Sequence, residues 1–304
     1  MACIAGSSLP LALGGLESER RAAGPEAWRR DLQRLKHCGF DAMDLVDSWL
    51  RVDLLSVAEQ TQLHQVLAET GIELVGVSVI RASVIDPEGG EAHLSRTLAA
   101  VEAAATLGAP VVGVGFHRQL AGPQLRQQFW VAPHPQDDPS PQNFELACRR
   151  LRMICDRAAM RSIEVSLELH ESTLLDRSER VLRLIDGTNA SNLGVNLDIG
   201  NLVRLPHELP EPWRETVDRL APRVNYWHLK NYLRMEHLSG LVMSTPCSID
   251  EGEIDYRYAV DAVLGSGYDG PLCLEHYGGD ALAAMQRGAL YLTDLLAQRE
   301  RQPV

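Results

Sequence analysis

The segment Val165-Ser-Leu-Glu-Leu-His170 alternates apolar and polar side chains and ends in ionisable residues. With a period of two, one face of such a strand carries only apolar residues, whereas Glu168 and His170 share the other face. A strand that is buried on both faces should be apolar throughout, so charge near its end is informative. The segment therefore predicts a buried strand whose second face ends in a functional site.

Seven further β-rich runs occur along the chain, and amphipathic helical patterns lie between them. The predicted strands are 3–6, 40–45, 73–79, 111–115, 164–169, 194–198, 224–229 and 272–275. Strands that alternate with helices indicate a parallel sheet. Eight such units in 304 residues match a (β/α)₈ barrel, whereas an open doubly wound sheet usually carries a glycine-rich phosphate turn after its first strand. We predict a single α/β domain over 1–304, a (β/α)₈ TIM barrel.

Two connections are longer than a barrel requires, namely 117–142 and 231–255. Both follow predicted strands, so both should lie at the C-terminal face of the barrel. Active sites of such barrels are built at that face. We expect the two connections to cover the pocket.

Composition excludes several classes of function. Acidic residues exceed basic ones, 41 against 29, and the net charge of −12 argues against a nucleic-acid partner and against binding to anionic membranes. No apolar run approaches the roughly 18 residues of a membrane helix, and the first residues do not resemble a secretory leader, so we expect a cytoplasmic protein. The six cysteines contain no CxxC pair and are interpreted as reduced thiols.

Three later strands also carry ionisable residues near their ends: Asp198, His228 and Glu275. A barrel would bring these side chains to one rim with Glu168. Two like charges 4 Å apart repel by about 4 kcal/mol at an effective dielectric constant of about 20, so three carboxylates need compensation. A divalent cation supplies it, and oxygen ligands with one imidazole suit Mn²⁺, Mg²⁺, Co²⁺ or Zn²⁺.

Five more residues at strand ends have alternative interpretations. His170 is predicted to orient a ligand or close the pocket, and Lys230 to contact substrate unless it is a solvated loop lysine. His117 fits an acid/base group, a further metal ligand or a core histidine. We interpret Arg81 and Arg118 as surface residues, with an anionic substrate group as the alternative partner.

Six short motifs, taken together, resemble the xylose-isomerase-like TIM barrels, also called the sugar phosphate isomerase/epimerase superfamily. The superfamily also contains dehydratases, C-glycoside-cleaving enzymes and a DNA-repair endonuclease. The motifs are Gly39-Phe-Asp-Ala-Met-Asp44, Leu167-Glu-Leu-His170, Asn196-Leu-Asp-Ile-Gly-Asn201, His228-Leu-Lys230, Gly252-Glu-Ile-Asp-Tyr256, and Gly267-Tyr-Asp-Gly270 with Leu274-Glu275.

The resemblance implies that Glu168, Asp198, His228 and Glu275 bind one divalent ion, with Mn²⁺ as the first expectation. It also implies that Glu168 and Glu275 transfer protons, and that Arg234 contacts substrate. The implied enzyme is an isomerase or epimerase of a small keto sugar or polyol-derived ketone, acting through a metal-stabilised enediolate.

Two positions depart from the epimerase pattern. Leu174 and Asn201 stand where the epimerases carry a glutamate and a histidine. The runner-up is therefore a metal-dependent lyase in which His117 serves as the acid, followed by a ligand-binding barrel without turnover. Residues 250–255 contain no Asp-x-His pair, which argues against the endonuclease. We expect a small-molecule substrate and allow for a homo-oligomer.

Overall fold

Eight parallel strands close into a barrel in a computed structural model that describes residues 2–12, 16–125, 128–132 and 134–301. The barrel order is β1-β10-β7-β6-β5-β4-β3-β2. The predicted (β/α)₈ barrel is confirmed, and each predicted strand has an observed counterpart. The barrel strands are β1 (Ile4–Ser7), β2 (Ala42–Val46), β3 (Glu73–Val79), β4 (Val111–Val114), β5 (Glu164–Glu168), β6 (Leu193–Asn196), β7 (Val224–Leu229) and β10 (Leu272–Leu274).

Helices follow the strands and cover the outside of the barrel. They are α1 (Leu9–Ala12), α2 (Glu17–His37), α3 (Val57–Thr70), α4 (Gly90–Leu107), α5 (Pro141–Ala159), α6 (Ser178–Thr188), α7 (Gly200–Val203), α8 (Trp213–Leu220), α9 (Tyr256–Gly265) and α10 (Ala281–Arg301). The sequence fixes the ends of α3 clearly. Ser56 and Glu59 form a capping box at its start, and Gly71 ends it with a φ of 63°, which is accessible to glycine at little cost.

The barrel interior is apolar near the strand starts and polar near the strand ends. Six side chains fill the lower interior as a cluster separate from the core between strands and helices: Ala5, Ala42, Val75, Val111, Tyr226 and Cys273. Buried charged residues lie beyond this layer, at the C-terminal ends of the strands. Burial of apolar area thus closes one end of the barrel and leaves the other end for chemistry.

The connection 231–255 contains an antiparallel hairpin that the sequence pattern does not predict. Strand β8 (Asn231–Glu236) pairs with β9 (Val242–Cys247) in a register that runs from Asn231 opposite Cys247 to Glu236 opposite Val242. Its outer residues are exposed, so it lacks the continuous apolar run by which the barrel strands were found. Among the described residues, no helix is both long enough and apolar enough to cross a membrane.

Candidate metal centre

The structure brings Glu168, Asp198, His228 and Glu275 together at the C-terminal end of the barrel. Glu168 ends β5, Asp198 follows β6 by two residues, His228 lies in β7, and Glu275 directly follows β10. Each residue offers one ligand atom, and these four atoms all lie within 4.8 Å of one another. All four side chains are buried. The charged strand ends therefore form one cluster.

Two amide side chains hold the carboxylate of Glu168. Asn196 donates from Nδ2 to Glu168 Oε2 at 3.1 Å and accepts the backbone N–H of His228 at 2.7 Å. Asn201 donates from Nδ2 to Glu168 Oε1 at 3.0 Å and to the carbonyl of Leu169 at 2.9 Å. Asn201, which departs from the epimerase pattern, is thus part of the support of Glu168.

Lys230 lies inside the cluster and is not a solvated loop lysine. Its Nζ is 2.7 Å from Asp198 Oδ2 and 3.0 Å from Glu275 Oε2. Burial alone would lower the pKa of Lys230, but Asp198 and Glu275 outweigh burial and raise it well above its usual value. The ammonium is therefore charged and ties two of the four candidate ligands together.

Asp44 is a further buried carboxylate of the site, and the sequence analysis did not assign it a role. Its Oδ1 accepts hydrogen bonds from Ser78 Oγ at 3.0 Å and Tyr226 OH at 2.9 Å. Its Oδ2 lies 3.3 Å from His228 Nε2. A Cβ atom at Gly76 would lie 2.5 Å from the Tyr226 hydroxyl, so this arrangement requires glycine there. The sequence does carry a signal for this role, because Asp44 is an acidic residue near the end of the predicted strand 40–45.

The imidazole of His228 has carboxylates on both sides. Nδ1 lies 3.4 Å from Glu168 Oε2 and 3.5 Å from Glu275 Oε2, while Nε2 faces Asp44. Burial alone would lower the pKa of His228, but Asp44 and Glu168 raise it well above its ordinary value. Burial raises the pKa of Asp198 to about 6, against the opposing effect of Lys230. Protons and Lys230 thus balance the carboxylates of the cluster.

The donor set fits a divalent cation. Within the described part of the chain, Asp198 Oδ1 and both nitrogens of His228 are buried without a well-aligned hydrogen bond, whereas Asp198 Oδ2 contacts Lys230. Buried polar atoms without partners are costly, and an ion would satisfy them. Three carboxylates and one imidazole match the ligands that Mn²⁺, Mg²⁺, Co²⁺ and Zn²⁺ accept.

A second group, His117, His134 and Glu171, also offers three ligand atoms within 4.8 Å of one another. Arg204 donates to both oxygens of Glu171, at 2.9 and 2.8 Å. Arg81 Nη1 lies 2.8 Å from His117 Nδ1. The same nitrogen lies 3.1 Å from the carbonyl oxygen of Arg118, which can only accept, so the two contacts require opposite tautomers of His117. Arg81 and Arg204 already place two positive charges against this group and would repel a further cation, so we do not assign a second metal to it.

A narrow cavity of about 60 Å³ leads to the cluster of four candidate metal ligands. Its lining includes Glu168, His228 and Glu275 together with His170, Tyr277 and Arg81. The interpretation of Arg81 as a surface residue is therefore wrong, because the side chain is partly buried and lines this pocket. Arg118 instead pairs with Asp137 at 3.2 Å.

Arg234 does not join the cluster in this structure. Its guanidinium donates to the carbonyls of Val203, Leu205 and His207, at 2.6, 2.7 and 3.0 Å. These bonds hold the hairpin against the segment after α7. A contact between Arg234 and substrate stays a prediction. His117 and His170 lie close to the pocket, with ring centroids 4.5 Å apart, and their substrate contacts likewise stay predictions.

The two long connections are joined beside the pocket. Trp130 Nε1 donates to Ser244 Oγ at 3.1 Å, and Ser244 donates to the carbonyl of Arg204 at 2.6 Å. The ring of Phe129 lies between the guanidinium groups of Arg81 and Arg204, 4.6 Å from each. The connection after β4, the hairpin and the segment after α7 thus share one contact network.

Comparison with solved structures gives a similar fold across the whole chain. A xylose isomerase-like TIM barrel protein from Mycobacterium smegmatis, crystallised in complex with magnesium, is 31% identical, with 98% of this chain and 97% of that chain covered and a TM-score of 0.89. An L-ribulose 3-epimerase structure has a TM-score of 0.72 over 99% of this chain and 96% of that chain. At 15% identity it shows the fold alone.

Comparison by sequence points to the same group. A 3-dehydroshikimate dehydratase from Bacillus anthracis is 29% identical over 101 residues, which span 33% of this chain and about a third (35%) of the dehydratase. The family model described as xylose isomerase-like TIM barrel matches residues 32–295. The resemblance stated from the sequence motifs is confirmed, and the chain belongs to the xylose isomerase-like TIM barrel family.

Proposed function

We propose that the protein is a divalent-metal-dependent isomerase or epimerase of a small keto sugar or polyol-derived ketone. The observation that carries the proposal is that Glu168 and Glu275 line one pocket together with the imidazole of His228. The two glutamates come from β5 and from the end of β10, and β6 and β7 lie between these strands in the barrel. They can therefore approach a bound ligand from different sides.

Glu168, Asp198, His228 and Glu275 would hold the ion. When bound, the cation would stabilise negative charge that develops on a carbonyl oxygen, and this lowers the barrier to removal of the neighbouring C–H proton. One glutamate removes the proton and the other returns it. Asn196 and Asn201 orient Glu168, and Lys230 orients Glu275. The magnesium in the Mycobacterium smegmatis protein and the epimerase among the structural neighbours support this proposal.

Hydrogen exchange with solvent tests the proposal directly. Incubation of Mn²⁺-loaded protein with a panel of ketoses in D₂O should place deuterium on the carbon next to the carbonyl. Glu168→Gln and Glu275→Gln should each lower the exchange rate by about 10²–10⁴-fold, the usual contribution of a general base. Glu164→Gln is the matched control, because Glu164 is exposed at the start of the same strand. Metal-loaded protein that exchanges no proton with any ketose or polyol-derived ketone, with or without a carboxylate, would contradict the proposal.

A lyase is the second candidate, and the dehydratase match favours it. The same proton removal would then expel a group from the β-carbon, with His117 as the acid. Product mass separates the two functions, because isomerisation and epimerisation conserve mass and dehydration removes one water. A product lighter by one water would favour the lyase.

A further inference from the structure

We infer that the pocket binds its substrate through a carboxylate group held by Arg81, an inference that rests on the proposed function and narrows its substrate class to keto sugars and polyol-derived ketones that carry a carboxylate. Arg81 lines the same cavity as Glu168, His228 and Glu275. A ligand that reaches the candidate metal ligands through this cavity therefore passes, or stays beside, the guanidinium of Arg81.

Arg81 is a cation without an acidic partner in the described part of the chain. Its guanidinium contacts the His117 ring and lies over the ring of Phe129. Nearby acids already have other cations: Asp47 pairs with Arg96 at 2.6 Å, and Glu171 pairs with Arg204. A guanidinium without an acidic partner can bind an anionic group of a ligand through charge-assisted hydrogen bonds. The substrate is the remaining source of that anion.

The guanidinium is held in one orientation. Its Nη1 lies 2.8 Å from His117 Nδ1, and this contact restrains one edge of the planar group. Phe129 packs against its face at 4.6 Å. The remaining N–H donors form a fork of the kind that binds a carboxylate through two parallel hydrogen bonds. Little side-chain entropy would then be lost when a ligand binds.

A carboxylate suits this pocket better than a phosphate. The cavity is narrow, and Glu168, Glu275 and Asp47 already contribute negative charge to its lining. A phosphate monoester carries about −1.5 to −2 charges at neutral pH, and repulsion from these acids grows with that charge. A carboxylate carries a single charge and is planar, as the guanidinium fork is.

Two small probes that differ at one carbon test the inference without any need for turnover. Hydroxypyruvate carries a carboxylate where dihydroxyacetone carries a hydroxymethyl group, and dihydroxyacetone phosphate supplies a phosphate. Bound Mn²⁺ broadens the NMR signals of ligand nuclei nearby, so titration of Mn²⁺-loaded protein gives the affinity of each probe. We expect hydroxypyruvate to bind about 10–100-fold more tightly than dihydroxyacetone, the range for a charged hydrogen-bonded contact.

Variants assign the preference to one side chain. Arg81→Gln should remove it, and Arg81→Lys, which keeps the charge without the fork, should restore part of it. Arg118→Gln is the matched control, because Arg118 pairs with Asp137, and it should keep the preference. Equal affinities in the wild-type protein, no binding of either probe, tighter binding of the phosphate, or a preference that survives Arg81→Gln would each overturn the inference.

The same samples separate this inference from the proposed function. Electron paramagnetic resonance counts free Mn²⁺, so failure of the protein to bind the ion would overturn both. Mn²⁺ binding with deuterium exchange into neutral ketoses, but without a preference for hydroxypyruvate, would overturn the carboxylate inference and leave the proposed function supported.

Discussion

Asp44 Oδ2 lies 3.3 Å from His228 Nε2, on the side of the imidazole opposite the nitrogen that faces Glu168 and Glu275. A carboxylate in this place fixes the ring orientation and the tautomer of a metal-binding histidine and makes the other nitrogen more basic. Asp44 is itself held by Ser78 and Tyr226. The carboxylate of Asp44 thus connects the lower barrel interior to the candidate metal ligands.

Asp44→Asn should weaken metal binding. Loss of the negative charge behind His228 should lower the Mn²⁺ affinity by about 10–100-fold, the usual cost of losing such a partner. Titration calorimetry with Mn²⁺ measures the change. Ser78→Ala is the control, since it removes one donor from the other oxygen of Asp44 and should have a smaller effect. Wild-type affinity in Asp44→Asn would show that Asp44 does not orient the ligand.

Lys230→Met should separate the stability of the metal-free protein from that of the metal-bound protein. Without the ammonium, Asp198 and Glu275 lose their buried partner, so the free energy of unfolding in chelator should fall by about 3–5 kcal/mol. Saturating Mn²⁺ should recover more stability in this variant than in wild type. Denaturant titrations with chelator and with Mn²⁺ measure both quantities.

The control for Lys230→Met is Lys36→Met, which breaks an exposed pair with Asp41 and should cost at most about 1 kcal/mol. If Lys230→Met unfolds at the wild-type denaturant concentration in chelator, the ammonium does not balance the cluster.

Gly200→Ala should disturb the site through steric overlap. An added Cβ would lie 2.4 Å from Lys230 Cγ and 2.8 Å from the Lys230 carbonyl oxygen. Such overpacking typically costs about 1–3 kcal/mol, and the displaced lysine should also change the Mn²⁺ affinity. Gly265→Ala in α9 is the control, because the added Cβ would be 3.8 Å from one nitrogen of Arg299. Equal thermal midpoints for the two variants would contradict the expected overlap.

Asp137→Asn should change how stability depends on pH. Burial raises the pKa of Asp137 to about 6, although Arg118 opposes the shift. The folded state therefore holds the proton more tightly than the unfolded state, in which the carboxyl has its ordinary pKa of 3.8. Ionisation of Asp137 costs stability as the pH rises from about 4 to 7, by up to about 3 kcal/mol. The stability of Asp137→Asn relative to wild type should rise over this range in denaturant titrations, and a constant difference would contradict the shifted pKa.

The eight barrel strands were predictable because each is a short apolar run between helical patterns. The hairpin was not found, because Arg234 and the exposed residues of β8 interrupt its apolar pattern. Its stability comes from pairing with β9 and from contacts of Arg234 with backbone carbonyls. Such contacts connect distant parts of the chain, and local periodicity does not report them.

The alternation of side chains along the late strands (parity) predicted which residues meet at the C-terminal rim of the barrel. Glu168, Asp198, His228 and Glu275 all come together there. Parity was less useful for Asp44, because the pairing between β2 and β3 shifts register between Met43 and Asp44. It was also insufficient for Arg81, which lies beyond the end of β3 and forms an isolated bridge with Phe116. Where a regular strand ends, tertiary contacts decide the direction of the side chain.

The hydrogen bonds from Trp130 to Ser244 and from Ser244 to the Arg204 carbonyl have a consequence for ligand exchange. They join three chain segments that are far apart in sequence through Ser244, so displacement of the hairpin breaks a buried hydrogen bond to each of the other two segments. Ligand exchange on this side of the pocket should therefore require either joint movement of the connected segments or the loss of one of these hydrogen bonds.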